Sequence, residues 1–228
     1  MFYPIFLRQP QRQNQDKEYY NALQEIRLGK ISLATWNFLY QKANIFNHQK
    51  PINTILNTTN IVGYKKTADQ INNIICNTIP VAENKFLISS AIDFINNQQY
   101  DPKDSQKLFK KKTNLPTYLH LQQGIRVMYL KNNLINKNIC SGIVDIGIKK
   151  ETVTFLIDGK PSSRCQFPLQ NAFALTVHKT QGLTLPEVSL SLDNQMFYAG
   201  QAYVALSRCS NWYKVQYILP PYILLLSL

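Results

Sequence analysis

The chain has 228 residues, 45% of them hydrophobic and 17% charged, which supports a sizeable core in one or two domains and excludes a disordered composition. Lys and Arg total 25 against 13 Asp and Glu, a formal charge of +12; such a surplus favours a polyanionic partner, nucleic acid being the commonest, with a basic but merely soluble protein as the plain alternative. The four cysteines, Cys76, Cys140, Cys165 and Cys209, are far apart, form no C-x-x-C, and have no histidine at ligand spacing; reduced thiols of an intracellular protein are expected, and no metal site. The first residues lack the order of a signal peptide. The C-terminal PPYILLLSL is too short for a bilayer span of about 20 residues, so no membrane partner is expected.

In chain order, Asp16 to Leu28 predicts a helix capped by Asp16, with Tyr19, Leu23 and Ile26 on one face and Gly29 ending it. A second helix is expected from Ser32, with Leu33, Trp36, Leu39, Tyr40 and Ala43 as its buried stripe. Ile52 to Asn57 reads as a short strand. Thr67 to Thr78 reads as a helix with Ile71, Ile74 and Ile75 inward, and Phe86 to Ile92 as another strand. The polar segment from Gln98 to Thr113 holds five lysines and reads as an exposed loop, either a solvated linker or a basic loop tracking a nucleic-acid backbone. From Leu119 to Phe167 the runs GIRVMYL, GIVDIGI and ETVTFLI, separated by Asn-rich or Gly-containing turns, predict a small β module. The expected fold class is α/β, with residues 1–118 and 168–228 forming one domain and 119–167 the insert.

Two stretches concentrate polar chemistry. AFALTVHKTQG, Ala172 to Gly182, ends an apolar run in Thr176, His178, Lys179, Thr180, Gln181 and Gly182. GQAYVALSR, Gly200 to Arg208, closes an apolar segment on one arginine. A strand ending in donors and a glycine turn can present them to phosphate oxygens, and an arginine ending a packed run can do the same. Each residue also has an ordinary reading: Arg208 as a salt-bridged helix-end group, His178 as a structural histidine, Lys179 as a solvated cation, Gln201 as a helix-start polar group. No G-x-x-x-x-G-K-[ST] occurs; Gly29-Lys30 and Gly159-Lys160 lack both the upstream Gly and the following Ser or Thr.

AFALTVHKTQGLT resembles motif V, and GQAYVALSRCS motif VI, of the Pif-family DNA helicases, the RecD-like branch of helicase superfamily one. FLRQ, Phe6 to Gln9, resembles motif IV. TILNTTN with ADQINN, GIRVMYLKNNLINKNICSG and CQFPLQNAFALT follow in the family's order, so the resemblance covers about residues 5 to 213. It implies a RecA-like domain, a parallel sheet with flanking helices, interrupted by a small SH3-like β module. It also implies roles. Arg208 would be the arginine finger and Arg8 the motif IV arginine facing the nucleotide's phosphates. Gln181, Gly182 and Gln201 would line the ATP cleft, and Thr176, His178, Lys179 and Thr180 the single-stranded DNA track. The family's motifs I to III, with Walker A and B, are missing from this sequence and belong to a preceding RecA-like domain. The resemblance therefore implies the C-terminal motor half of an ATP-dependent DNA helicase, translocating 5′ to 3′. ATP and Mg²⁺ would be used by the complete enzyme and none held by this chain alone, which is expected to be inactive by itself. A non-catalytic remnant that binds single-stranded nucleic acid is the alternative. Repair, recombination and telomere maintenance, in nucleus or mitochondrion, all fit the family.

Overall fold

Thr58–Val62 (β1) is buried on nearly every residue, the pattern of a strand covered on both faces of a parallel sheet. It is central in a four-stranded parallel sheet of order β10-β1-β11-β12, where β10 is Ala174–Thr176, β11 Glu187–Ser191 and β12 Val215–Leu219. The computed structural model describes residues 11–43, 56–79, 86–130, 148–191 and 200–219. It divides into two compact units, residues 1–75 with 173–228, and 76–172.

In the first unit, successive residues of β1 serve opposite faces. Ile61 joins a core of Tyr19, Leu23, Ile26, Leu39, Val188, Leu190, Leu206 and Val215. This core is contributed by the helices α1 (Lys17–Leu28), α2 (Leu33–Ala43) and α5 (Gln201–Leu206). Val62 packs instead with Ala68, Ile71 and Ala174, under α3 (Lys65–Thr78). Sequence and structure agree on α1: Asp16 accepts from the Tyr19 amide at 3.0 Å, and Gly29 ends the helix at φ 67°. Ser32 caps α2, its hydroxyl accepting from the Thr35 amide. The α2 stripe is corrected: Leu33 is 75% and Tyr40 49% exposed, while Thr35 and Leu39 are buried. Ala43 lies outside the residues whose side chains are described. In α3, Ile75 is buried but Ile74 is exposed, so the inward face turns through Ala68, Asn72 and Ile75. Of the strand expected at 52–57, residues 52–55 lie outside the described residues; β1 follows at Thr58–Val62.

The second unit is antiparallel. Ile92–Ile95 (β3), Gln98–Tyr100 (β4), Glu151–Ile157 (β7) and Lys160–Gln166 (β8) form a sheet of order β4-β3-β8-β7. Phe86–Ser90 (β2) pairs with Tyr118–Gln122 (β5), and Val127–Tyr129 (β6) with Leu169–Asn171 (β9). The hairpins turn on Asn96-Asn97 and Asp158-Gly159, all at positive φ, the requirement of a two-residue hairpin turn. The segment 98–113 is not a loop: it is β4 followed by α4, Pro102–Phe109, capped by Asp101. The strand expected at 86–92 is two strands, β2 and β3, broken at Ala91. GIVDIGI lies largely outside the described residues.

Among the described residues, the core of this unit holds one ion pair. Arg164 meets Asp93 bidentately, Nε to Oδ1 at 2.8 Å and Nη2 to Oδ2 at 2.6 Å, with both side chains at most 2% exposed. Its third nitrogen donates to Leu115 O and Thr117 Oγ1, each at 3.2 Å. The Ser105 hydroxyl donates to Asp93 Oδ2, and the guanidinium lies 5.1 Å from the centre of the Phe109 ring. A pair this buried holds because all three guanidinium nitrogens and both carboxylate oxygens are hydrogen-bonded.

Candidate functional site

Strand β10 ends at Thr176, and the chain turns at once into a 3-10 turn, Val177–Thr180, before Gly182 at φ 80°. The strand is fixed first. Asn72 of α3 donates to Ala174 O at 3.0 Å and accepts from Ala174 N at 2.8 Å, satisfying the outer edge of an edge strand. The turn is fixed next. The Thr180 hydroxyl donates to Val177 O at 2.7 Å, and Leu183 N donates to Thr180 O at 3.1 Å.

The turn sorts the expected residues. Val177 and Thr180 point inward and are buried. His178, Gln181 and Gly182 are exposed, and Thr176 and Lys179 are half-buried. The Thr180 hydroxyl therefore holds the turn, while Thr176, His178 and Lys179 remain at the surface. Burial pulls the Lys179 pKa down, and the nearby Lys65 lowers it further, against an opposing pull from Asp69. Lys65, Asp69 and Lys179 thus lie near one another where α3 begins and the turn ends.

Arg208 reaches the same turn from the other side. Its Nη1 donates to Thr180 O at 3.2 Å, its Nε to Val204 O at 2.7 Å, and its Nη2 to Ser207 Oγ at 2.8 Å. Leu185 N donates to Arg208 O at 3.0 Å. The side chain is only 9% exposed, so Arg208 fastens α5 to the turn after β10. Gln201, at the start of α5, is 8% exposed, and its Oε1 has no hydrogen-bond partner among the described residues.

Arg12 and Gln13 complete the wall and were not expected. Arg12 Nε donates to Thr184 Oγ1 at 3.0 Å and Nη1 to Ser207 O at 2.8 Å. Gln13 Nε2 donates to Ser207 O at 3.2 Å and Cys209 O at 2.7 Å. The Tyr19 hydroxyl donates to Leu206 O at 2.6 Å. Burial chiefly, and the positive charge of Arg12 next, lower the Arg208 pKa. Two guanidinium groups meeting at Ser207 repel each other and favour an anion between or beside them. Arg8 lies outside the described residues. The signal for Arg12 was present: the Arg-Gln pair of FLRQ recurs at Arg12-Gln13, directly before the helix that Asp16 caps.

No protein-family model matches the chain. Among curated relatives, the chain is 29% identical over 227 residues to the ATP-dependent DNA helicase PIF1 of Xenopus laevis, covering 88% of this chain and 33% of that protein. The crystal structure of Pif1 helicase from Candida albicans matches with a TM-score of 0.71 at 21% identity, over 91% of this chain and 54% of that one. Bacteroides Pif1 bound to ssDNA matches with a TM-score of 0.62 at 22% identity, over 92% and 50%. The chain spans a third of the frog relative and about half of each solved chain. A sequence match along most of this chain and a shared fold make the chain similar to the Pif1 helicases.

Proposed function

We propose that this chain supplies the second motor unit, with its β insert, of an ATP-dependent DNA helicase, converting nucleotide turnover into movement along single-stranded DNA, 5′ to 3′. The observation that carries the reading is Arg208. One guanidinium stands beside Arg12 and is bonded to the backbone of the turn that exposes His178 and Lys179.

The residues fit the phosphates of a nucleotide, because the Arg12–Arg208 pair calls for an anion. ATP, held mainly by a Walker-bearing unit, supplies the anhydride whose cleavage drives the cycle. Arg12 and Arg208 would bind its terminal phosphates from this side and stabilise the charge that develops there. Gln181, Gly182 and Gln201 would line the same cleft. Among the described residues no group of three or more His, Cys, Asp or Glu side chains could hold a metal ion, and Mg²⁺ would come with the nucleotide. When Arg208 turns toward phosphate it gives up the Thr180 carbonyl, so the turn and its DNA-facing residues respond. Thr176, His178 and Lys179, with Lys65, would bind the strand's phosphates.

The test uses the chain joined to a Walker-bearing RecA-like unit. Arg208→Ala is expected to lower ATP turnover by about 10³-fold while single-strand affinity stays. Unchanged turnover overturns the reading. Among the described residues no helix is long and apolar enough to cross a membrane; a nuclear or mitochondrial setting belongs to the proposal.

A further inference from the structure

The segment 101–112 carries five lysines and two aspartates, and the motor reading does not use it. Helix α4 runs Pro102–Phe109, and its hydrogen bonding continues through Lys110 N to Gln106 O and Thr113 N to Phe109 O. Its inward side is Ser105 and Phe109. At about 100° per residue, Lys103, Lys107, Lys110 and Lys111 fall within one arc on the opposite side, and all four are exposed. Asp101 and Asp104 lie at the first turn, where the helix dipole favours them; Asp101 caps the Lys103 amide. Among the described residues none of the four lysines makes an ion pair.

We propose that this lysine face binds the phosphate backbone of duplex DNA, as a contact separate from the single-strand track of the first unit. Lys103 to Lys111 span about 12 Å of helix axis, a length over which one strand of B-form DNA presents about three to four phosphates. The charge therefore matches in sign and in spacing. The choice of duplex follows from what the face lacks. Single-strand sites add aromatic rings on which bases stack, whereas the ring of α4, Phe109, is fully buried. An anionic membrane would call for an apolar stripe beside the cations, and this face offers lysines with Leu108 at its margin. The identity of the duplex as DNA rests on the helicase reading above.

The test is binding of the full chain, without nucleotide, to a blunt fluorescent DNA duplex and to a single strand, across 50–200 mM salt. The variant K103Q/K107Q/K110Q/K111Q is compared with K17Q/K30Q/K149Q/K160Q, which removes the same charge from exposed sites elsewhere. Coincident thermal melts establish that all three proteins are folded. The α4 variant is expected to bind duplex with a log–log salt dependence shallower by about 3–4, to keep its single-strand affinity, and to differ from the control variant. Equal losses in both variants overturn the proposal, as does an unchanged duplex slope. Wild-type preference for phosphatidylserine-containing vesicles over duplex, abolished in the α4 variant, overturns it too. The single-strand arm reports on the track of the first unit, so failure of that reading is told apart from failure of this one.

Discussion

Arg208 donates to the carbonyl oxygen of Thr180 at 3.2 Å, joining two sequence segments whose numbers differ by 28. The bond sits in a buried setting where Val204 O and Ser207 Oγ take the remaining donors. Removing the guanidinium takes away a buried, charge-assisted set of bonds, leaving Thr180 O with Leu183 N and Val204 O with the Ser207 hydroxyl. Arg208→Ala is expected to destabilise the first unit by about 1–3 kcal/mol, read from urea unfolding followed by Trp212 fluorescence. Arg208→Lys should recover only part of this loss, since one ammonium cannot span the same set of acceptors.

Asn72 holds both backbone groups of Ala174. Asn72→Ala orphans a buried N–H and a buried C=O, each costing about 1–3 kcal/mol. Faster hydrogen exchange at the Ala174 amide is the expected result, with the strand frayed ahead of the VHKT turn. Asn72→Asp keeps an acceptor but loses the donor to Ala174 O, so protection should fall there as well.

Cys209 is fully buried, and burial pushes its thiol up to about 12 from an ordinary 9.0. Tyr19, buried beside it, is raised as well, chiefly by desolvation. The folded state therefore keeps protons that the unfolded chain releases. This contribution is whole below the unfolded pKa and is lost as pH climbs toward the folded one. Unfolding free energy should fall between about pH 9 and 12, and Cys209→Ala should flatten the slope by up to one proton. Iodoacetamide at pH 8 is expected to spare Cys209 until denaturant is added.

In the second unit, Asp93→Asn would leave Arg164 charged and buried without its counter-ion. A loss of about 3–5 kcal/mol is expected by denaturant unfolding. Replacing both residues together, Asp93→Leu with Arg164→Met, should recover most of it. If the double variant is as weak as the single one, hydrogen bonds to Leu115 and Thr117 rather than the charge pair hold this core.

What the sequence made legible follows the range of the interactions. Helix α1 is written locally: a capping Asp16, apolar residues three and four apart, and a glycine stop. The VHKTQG turn and Arg208 were legible because their donors are dense and adjacent. Helix α4 was obscured because its lysines resemble a solvated loop, and only Ser105 and Phe109 face inward. Strand β1 is hard to read in the sequence because its buried residues include Thr58 and Thr59, whose polarity disguises a central strand. Arg12 repeats the Arg-Gln pair of FLRQ, but its place in the site comes from its hydrogen bond to Ser207, far along the chain. The Asp93–Arg164 pair is likewise a tertiary fact, joining strands 71 positions apart.

Gln13 bonds the carbonyls on both sides of Arg208, those of Ser207 and Cys209. The main chain at the arginine is therefore clamped before and after it, and Leu185 holds its own carbonyl. Any response of Arg208 to an arriving anion must pass through its side-chain torsions. A rotamer exchange belongs to the fast end of protein motion, and it moves charge by ångströms with no loop to rebuild. The clamp turns this arginine into a lever with a fixed fulcrum.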